Sequence, residues 1–511
     1  MAFVQSMISE EKLLKFKGIN WSKDFNIFSK RPRIKRIVLP IVSELIPDNE
    51  FWFLFDETLK PVTQALEVNK DRVVEVIFKI MEIFEETETQ GYKFFIIDPK
   101  SIYLDENFEP YIFVYYPIFA QNDLFDLSTF NMPITLKSKN SDFKNNNSYI
   151  IAELFAQLKF GNEYRLINNF KSKKHFVRHK LIEEGEYDLV KWFEKSYENI
   201  YSIRTSKEEL IKAVKRKERR QIEEKKVVKI KRAFRTFEGT RKLKPEDDYV
   251  DDSNQDSYYC DIFENKAIFA VMDGVSTAKI GNGKLASNIT RDVLKEEWEE
   301  FKIETLESKL DSEKVRGFFE KVINKANEKI LDKAKELSKN LLPGEIMSTT
   351  LAAVVMEDDN IYICSVGDSN IYVISNDYFT KLNVEHNVKT LRLLNKEKIN
   401  DSDSSLTQYI GKYKIENNEI VCDEIKFYFN KTKLLNNETL FISSDGVLDY
   451  WNGFNQEEKE ENFFKDYLKM LEELKTLKAV SQRVISTLDF NDANDNVTLI
   501  LLTPEFSQES K

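Results

Sequence analysis

Short apolar runs that end on or beside an aspartate recur through the second half of the chain. Residues 267–272 lead into Asp273-Gly274, 361–366 into Gly367-Asp368-Ser369 and 440–443 into Ser444-Asp445-Gly446, while Asp495-Asn496 stands just before 497–502. Runs of this length, rich in β-branched and aromatic residues and closed by Gly or Asp, predict strands that carry a carboxylate into a turn. The stretches 350–356 and 361–366 flank Glu357-Asp358-Asp359-Asn360, and 371–374 follows a second tight turn at Asp368-Ser369, so the three predict a meander. Residues 285–301 and 313–337 differ, because their apolar positions return every three or four residues amid charges, which predicts amphipathic helices. Strands covered on the outside by helices satisfy both periodicities and give an α+β domain.

The first half is patterned otherwise. Residues 1–205 hold four glycines, many aromatics and no metal-ligand spacing, and they predict a separate α+β domain at the N-terminus. Within it 92–97, 102–104 and 111–116 read as strands joined by Asp98-Pro99-Lys100-Ser101 and Asp105-Glu106-Asn107. Residues 206–231 contain no Gly or Pro, and their basic residues outnumber the acidic ones. Helix propensity and mixed charge predict a charged helical connector there, with a solvated face preferred over a nucleic-acid patch, leading to a third region at 232–505.

Several aspartates delivered to one place cannot all stay ionised without a cation, and oxygen-only ligation suits hard divalent ions such as Mg²⁺ or Mn²⁺. Two such ions roughly 3.5–4 Å apart form a clamp for phosphoester hydrolysis. A single Asp-Gly would be an ordinary hairpin turn, but the segments here come in a set and an order. With Asn254-Gln255-Asp256, Phe269-Ala270-Val271-Met272-Asp273-Gly274, Ser348-Thr349-Thr350-Leu351, Ser365-Val366-Gly367-Asp368-Ser369, Leu406-Thr407-Gln408-Tyr409-Ile410-Gly411, Phe441-Ile442-Ser443-Ser444-Asp445-Gly446-Val447-Leu448-Asp449 and Asp495-Asn496-Val497-Thr498, the region 234–503 resembles the metal-dependent type 2C serine/threonine protein phosphatases.

The resemblance implies an antiparallel β-sandwich flanked by helices, with two Mn²⁺ or Mg²⁺ ions in a cleft at one edge. Carried over by position, Asp273 bridges the ions, Gly274 offers its carbonyl, and Asp445 and Asp495 complete the ion that activates the attacking water. These three aspartates are the implied catalytic residues. Asp256 matches the acidic residue of the first motif, and Asp368 matches a carboxylate that helps to hold a third ion. The implied function is hydrolysis of phosphoserine or phosphothreonine on a phosphoprotein. Three departures stand out: Gln255 replaces an acidic residue, Asp251 replaces a phosphate-binding Arg, and Val275-Ser276-Thr277-Ala278 lacks a His that some members use as general acid. Arg241, Lys242 or Lys244 is the expected replacement for the missing Arg. The small-residue turn resembles a divergent prokaryotic branch of the family. Gln255 and Asp251 keep a second reading open, a pseudophosphatase that binds a phosphoprotein without turnover; the retained aspartates speak against it.

Residues 91–116 resemble the catalytic-loop hairpin of protein kinases, and 149–161 the hydrophobic helix that follows it. No His-Arg-Asp occurs, Ser101 stands where a metal-binding Asn would be, and Tyr115-Tyr116-Pro117 replaces Asp-Phe-Gly. A degenerate, pseudokinase-like domain that docks a partner protein or kinase is implied, and an unrelated α+β domain with a plain hairpin accounts for the same residues. His386 follows Leu382-Asn383-Val384-Glu385 and reads equally as a site residue or a partly buried structural one. His175 and His179, among Lys173, Lys174, Arg178 and Lys180, read as a solvated basic face rather than a zinc site.

Composition adds bounds. A chain of 511 residues with 41% hydrophobic positions can build two or three cores, and a formal net charge of −11 argues against general nucleic-acid affinity. Cys260, Cys364 and Cys422 are scattered, which suggests a reducing compartment. The start lacks a basic stretch followed by an apolar core, and no apolar run reaches the roughly 18 residues of a membrane span, so a cytoplasmic protein is expected.

Overall fold

The computed structural model describes residues 13–17, 36–38, 50–90, 92–94, 99–113, 118–120, 146–167, 170–198, 200–222, 225–238, 254–338, 346–397, 404–417 and 419–507. Contacts divide the chain into two units, Met1–Arg178 with Leu189–Lys215, and His179–Asp188 with Arg216–Lys511. Among the described residues no helix is long and apolar enough to cross a membrane.

In the first unit the helix Val73–Thr89 buries Val73, Val76, Ile77, Ile80 and Phe84, one face at helical spacing. A four-stranded sheet runs in the order Ile37–Val38, Pro110–Phe113, Ile102–Leu104, Lys60–Pro61. The hairpin expected from strands 102–104 and 111–116 is present over the described residues, with Ile102 opposite Ile112. Tyr92–Phe94 pairs instead with Ile118–Ala120, and positions 95–98 and 114–117 lie outside the described residues. The helix Asn146–Arg165 is interrupted at Gly161, where φ is 55°. The solvated basic face expected around His175 is overturned. Lys173 and Lys174 are buried, and their ammonium groups pair with Glu153 at 3.1 Å and Glu198 at 2.5 Å, partners too distant in sequence to be read from it.

The second unit is a sandwich of two five-stranded antiparallel sheets. We label its elements β1 (Val227–Phe237), β2 (Ser257–Phe263), β3 (Lys266–Met272), α1 (Gly283–Glu304), α2 (Ser312–Leu337), β4 (Leu351–Glu357), β5 (Asn360–Val366), β6 (Asn370–Ile374), β7 (Phe379–Lys381), β8 (Tyr428–Lys433), β9 (Thr439–Ser443), α3 (Gln456–Leu474), α4 (Leu477–Phe490) and β10 (Val497–Phe506). One sheet is ordered β2-β3-β4-β5-β8, the other β7-β6-β9-β10-β1. Every position of β3 and β4 is buried, because one face meets helices and the other meets β9 and neighbouring strands of the second sheet. Ile268, Ala270 and Met272 pack with Trp298, Phe318 and Phe319 of α1 and α2. Tyr372 and Phe441 pack with Phe463 of α3 and Val480 and Val484 of α4. Full burial of an aromatic of this kind contributes about 1.5–3 kcal/mol. Asn282 and Asp311 cap α1 and α2, their side chains accepting from Leu285 N and Lys314 N.

Two expectations change here. The meander breaks after β5. Gly367, at φ +96°, turns the chain so that β6 leaves the sheet of β4 and β5 and pairs with β9 in the other one. The charged segment 206–231 is helical only to Ile222, since the helix Ile203–Ile222 is followed by β1, which pairs along β10. β1 is an edge strand, where charged side chains are the rule, so its composition resembled a solvated helix.

Candidate metal centre

The strand registers collect the aspartates at one end of each sheet. Asp256 precedes β2, Asp273 follows β3 and Asp368 follows β5, all at the end marked by the pairs Ser257–Met272 and Leu351–Val366. In the other sheet Asp445 follows β9 and Asp495 precedes β10, at the end marked by Ser443–Leu499.

Hydrogen bonds hold these ends together. The Asp273 carbonyl accepts from Thr350 N at 2.9 Å and Thr349 Oγ1 at 2.7 Å, while Asp273 N donates to Thr350 Oγ1 at 3.0 Å. Thr350 in turn shares a 2.7 Å hydrogen bond with Ser369 beside Asp368. The Ser348-Thr349-Thr350 motif therefore pins the backbone of the cluster. Between sheets, Ser444 Oγ donates to Asp256 Oδ2 at 3.0 Å and accepts from Thr498 N at 2.9 Å. Gln255 N donates to Asn496 Oδ1 at 2.9 Å, next to Asp495. Gly274 cannot carry a side chain. A Cβ there would lie 2.4 Å from the backbone of Gly283 and 2.6 Å from the carbonyl oxygen of Gln255.

Asp256 is buried, Asp273, Asp368 and Asp445 are half-buried, and Asp495 is exposed. Burial, then Asp256, Asp445, Asp495 and Asp368, push Asp273 well above the usual carboxylate range. Asp445 rises for the same reason, with Asp368, Asp449 and Asp495 as its charged neighbours. Burial lifts Asp256 to about 7 against hydrogen bonds from Thr498 and Ser444. Burial and Glu385 lift Asp368 to about 7, opposed by Lys381, which is itself paired with Glu385. Among the described residues no positively charged side chain is ion-paired to any of the five aspartates.

The donor set is entirely oxygen, and Asp256 Oδ1 and Gln255 Oε1 are buried without a hydrogen-bond partner among the described residues. Both features fit hard divalent cations and their bound waters. No three His, Cys, Asp or Glu side chains among the described residues close on one point.

Arg241, Lys242 and Lys244 lie outside the described residues, as does Asp251. His386 is structural: its Nδ1 accepts from Gly367 N at 3.2 Å and its own N donates to Gly367 O at 2.9 Å, fixing the turn before Asp368. Burial lowers it to about 4, with His179 nearby adding to the fall. Sequence reasoning missed Asp449 and Glu385 as charged neighbours of the cluster, and Ser444 and Thr498 as its hydrogen-bond donors. Asp449 and Ser444 stand in the motif around Asp445, and Thr498 in the one around Asp495, which was their available signal.

Residues 248–488 match the family model for protein phosphatase 2C. The serine/threonine phosphatase stp of Listeria innocua is 26% identical over 261 residues, which cover 49% of this chain and 90% of that protein. A putative protein phosphatase of Mycoplasma genitalium is 25% identical over 270 residues, 52% of this chain and 94% of the relative. Among solved structures, the serine/threonine phosphatase of S. agalactiae aligns with 54% of this chain and 100% of its own, at 21% identity and a TM-score of 0.41.

Proposed function

We propose that this chain, whose residues 248–488 match the family model for protein phosphatase 2C, hydrolyses phosphoserine or phosphothreonine esters of proteins with the help of two Mn²⁺ or Mg²⁺ ions. The observation that carries the proposal is a set of aspartates from separate strand ends that raise one another's pKa with no ion-paired cation of the protein among them. A pure binding module has no need of that repulsion.

Asp273, the Gly274 carbonyl, Asp445 and Asp495 would hold the pair, with Asp256 beside them and Asp368 serving a third ion. Bound divalent ions would acidify the attacking water and neutralise the phosphoryl oxygens. The chain's own part is orientation. Thr349 and Thr350 fix the backbone at Asp273, and Ser444 fixes one oxygen of Asp256, so the carboxylates are placed before a substrate arrives. Gln255 contributes an uncharged acceptor, which lowers the anionic charge of the site relative to a carboxylate. This departure favours one second reading, a phosphoprotein-binding pseudophosphatase. The first unit supplies a regulatory or partner-docking surface in either case, and free thiols at Cys260, Cys364 and Cys422 support a reducing, cytoplasmic setting.

The test is phosphate release from a phosphothreonine peptide with Mn²⁺, Mg²⁺ or EDTA, beside Asp273→Asn. Metal-dependent release that falls on the order of 10³-fold in the variant is expected. Wild-type activity in Asp273→Asn would refute the assignment of the centre, and metal binding without release would favour the pseudophosphatase.

A further inference from the structure

A groove of about 620 Å³ in the second unit is used by the chemistry above only at one end, where Asn254 and Asp256 line it. Three elements build the rest. β1 contributes Arg232, Phe234 and Thr236, alternate positions and therefore one strand face, and Glu238 follows just past its end. α1 contributes Lys284, Asn288 and Arg291, whose spacing of four and three is one helix face. From β2 come four consecutive residues, 257–260, of both parities, so the groove follows the strand's edge rather than either of its faces.

That edge is open. β2 pairs with β3 on one side, and no backbone partner meets its other side among the described residues. An extended polypeptide is the ligand that satisfies such a row of N–H and C=O groups. The charge lining selects among polypeptides. Arg232 and Lys284 have no ion-pair partner among the described residues, and Arg291 is bonded to Asp292, which is not part of the lining. Glu238 and Asp256 are the lining acids, and Asp256 belongs to the metal cluster. Phe234, 38% exposed and 5.0 Å from the Tyr258 ring, gives the floor an apolar spot for an interleaved side chain.

We propose that this groove binds an extended, acidic stretch of polypeptide flanking the phosphorylated residue of the substrate. The proposal rests on the phosphatase reading for its orientation, since the end of the groove at Asp256 joins the bound chain to the carboxylate cluster. Arg232 and Lys284 are then specificity determinants, supplying positive charge to a site whose first motif carries Asp251 in place of Arg.

The experiment measures binding without turnover. A fluorescent, unphosphorylated peptide rich in Asp and Glu and its Asn and Gln counterpart are titrated with the full chain in EDTA, at low and high salt. The acidic peptide should bind roughly tenfold more tightly, with the advantage shrinking as salt is added. Arg232→Glu with Lys284→Glu should abolish the preference, and the milder pair Arg232→Gln with Lys284→Gln should reduce it at an unchanged melting temperature. Equal binding of the two peptides, or a preference that survives both double variants, overturns the proposal. Metal-dependent hydrolysis of para-nitrophenyl phosphate, too small to extend along the groove, reports separately on the phosphatase reading.

Discussion

One buried hydroxyl joins the two sheets at the carboxylate cluster. Ser444 is fully buried, donates to Asp256 Oδ2 and accepts from Thr498 N. Ser444→Ala would strand that N–H and remove the donor from Asp256, at a cost of about 1–3 kcal/mol in stability. Because a group that orients a metal ligand acts on affinity, Mn²⁺ should bind roughly 10–100-fold more weakly. Thermal melts and calorimetric titration check the two effects, and wild-type Mn²⁺ affinity in the variant would mean that Asp256 needs no fixing. The aspartates were legible in the sequence because Asp-Gly and Gly-Asp at the end of an apolar run is a local signal. The role of Ser444 was not, since its partner Asp256 is 188 positions away.

At the scale of elements, apolar periodicity located β3, β5, β9, α1 and α2 to within a few residues, because burial on both faces or along one stripe leaves a local pattern. Which sheet a strand joins leaves no such pattern, so the exit of β6 at Gly367 was not read. The end of the helix Ile203–Ile222 shows the same limit. Arg220 pairs with Asp188 at 3.0 Å and Glu438 at 2.7 Å, donates to Tyr378 Oη at 3.1 Å, and is 9% exposed at its side chain, all within the second unit. A run of Lys, Arg and Glu gives no hint that one arginine is buried. Arg220→Met would leave the enclosed Glu438 without its cation and Asp188 with Arg216 alone, at 3.1 Å, and should destabilise the unit by about 3 kcal/mol. Urea unfolding checks this, and adding Glu438→Gln to the variant should recover part of the loss. A variant as stable as the wild type would mean that the second unit does not depend on this clasp.

For the whole molecule, the mutual repulsion of the aspartates makes stability depend on pH and on metal together. In the folded chain burial and mutual repulsion raise Asp256 and Asp368 to about 7 and push Asp273 and Asp445 well above the usual carboxylate range. A carboxyl raised on folding keeps its proton longer in the native state, so its destabilising effect is absent below the unfolded pKa and grows as pH rises to the folded one. His179 and His386, lowered to about 4 by burial, work oppositely, but their effect is complete once pH passes the ordinary histidine value of about 6.5. From about pH 6.5 upward, through the values near 7 of Asp256 and Asp368, the carboxylates are left in control. The melting temperature in EDTA should therefore fall across that window. Mn²⁺ binds the deprotonated cluster of the folded state alone, so its stabilisation should grow over the same range and offset the fall. Asp273→Asn removes one of the repelling charges, and in EDTA it should melt higher than the wild type at the alkaline end, with a shallower slope. A melting temperature in EDTA that is flat or rising with pH, or a Mn²⁺ shift no larger at the alkaline end, would mean that these carboxylates do not share one electrostatic site.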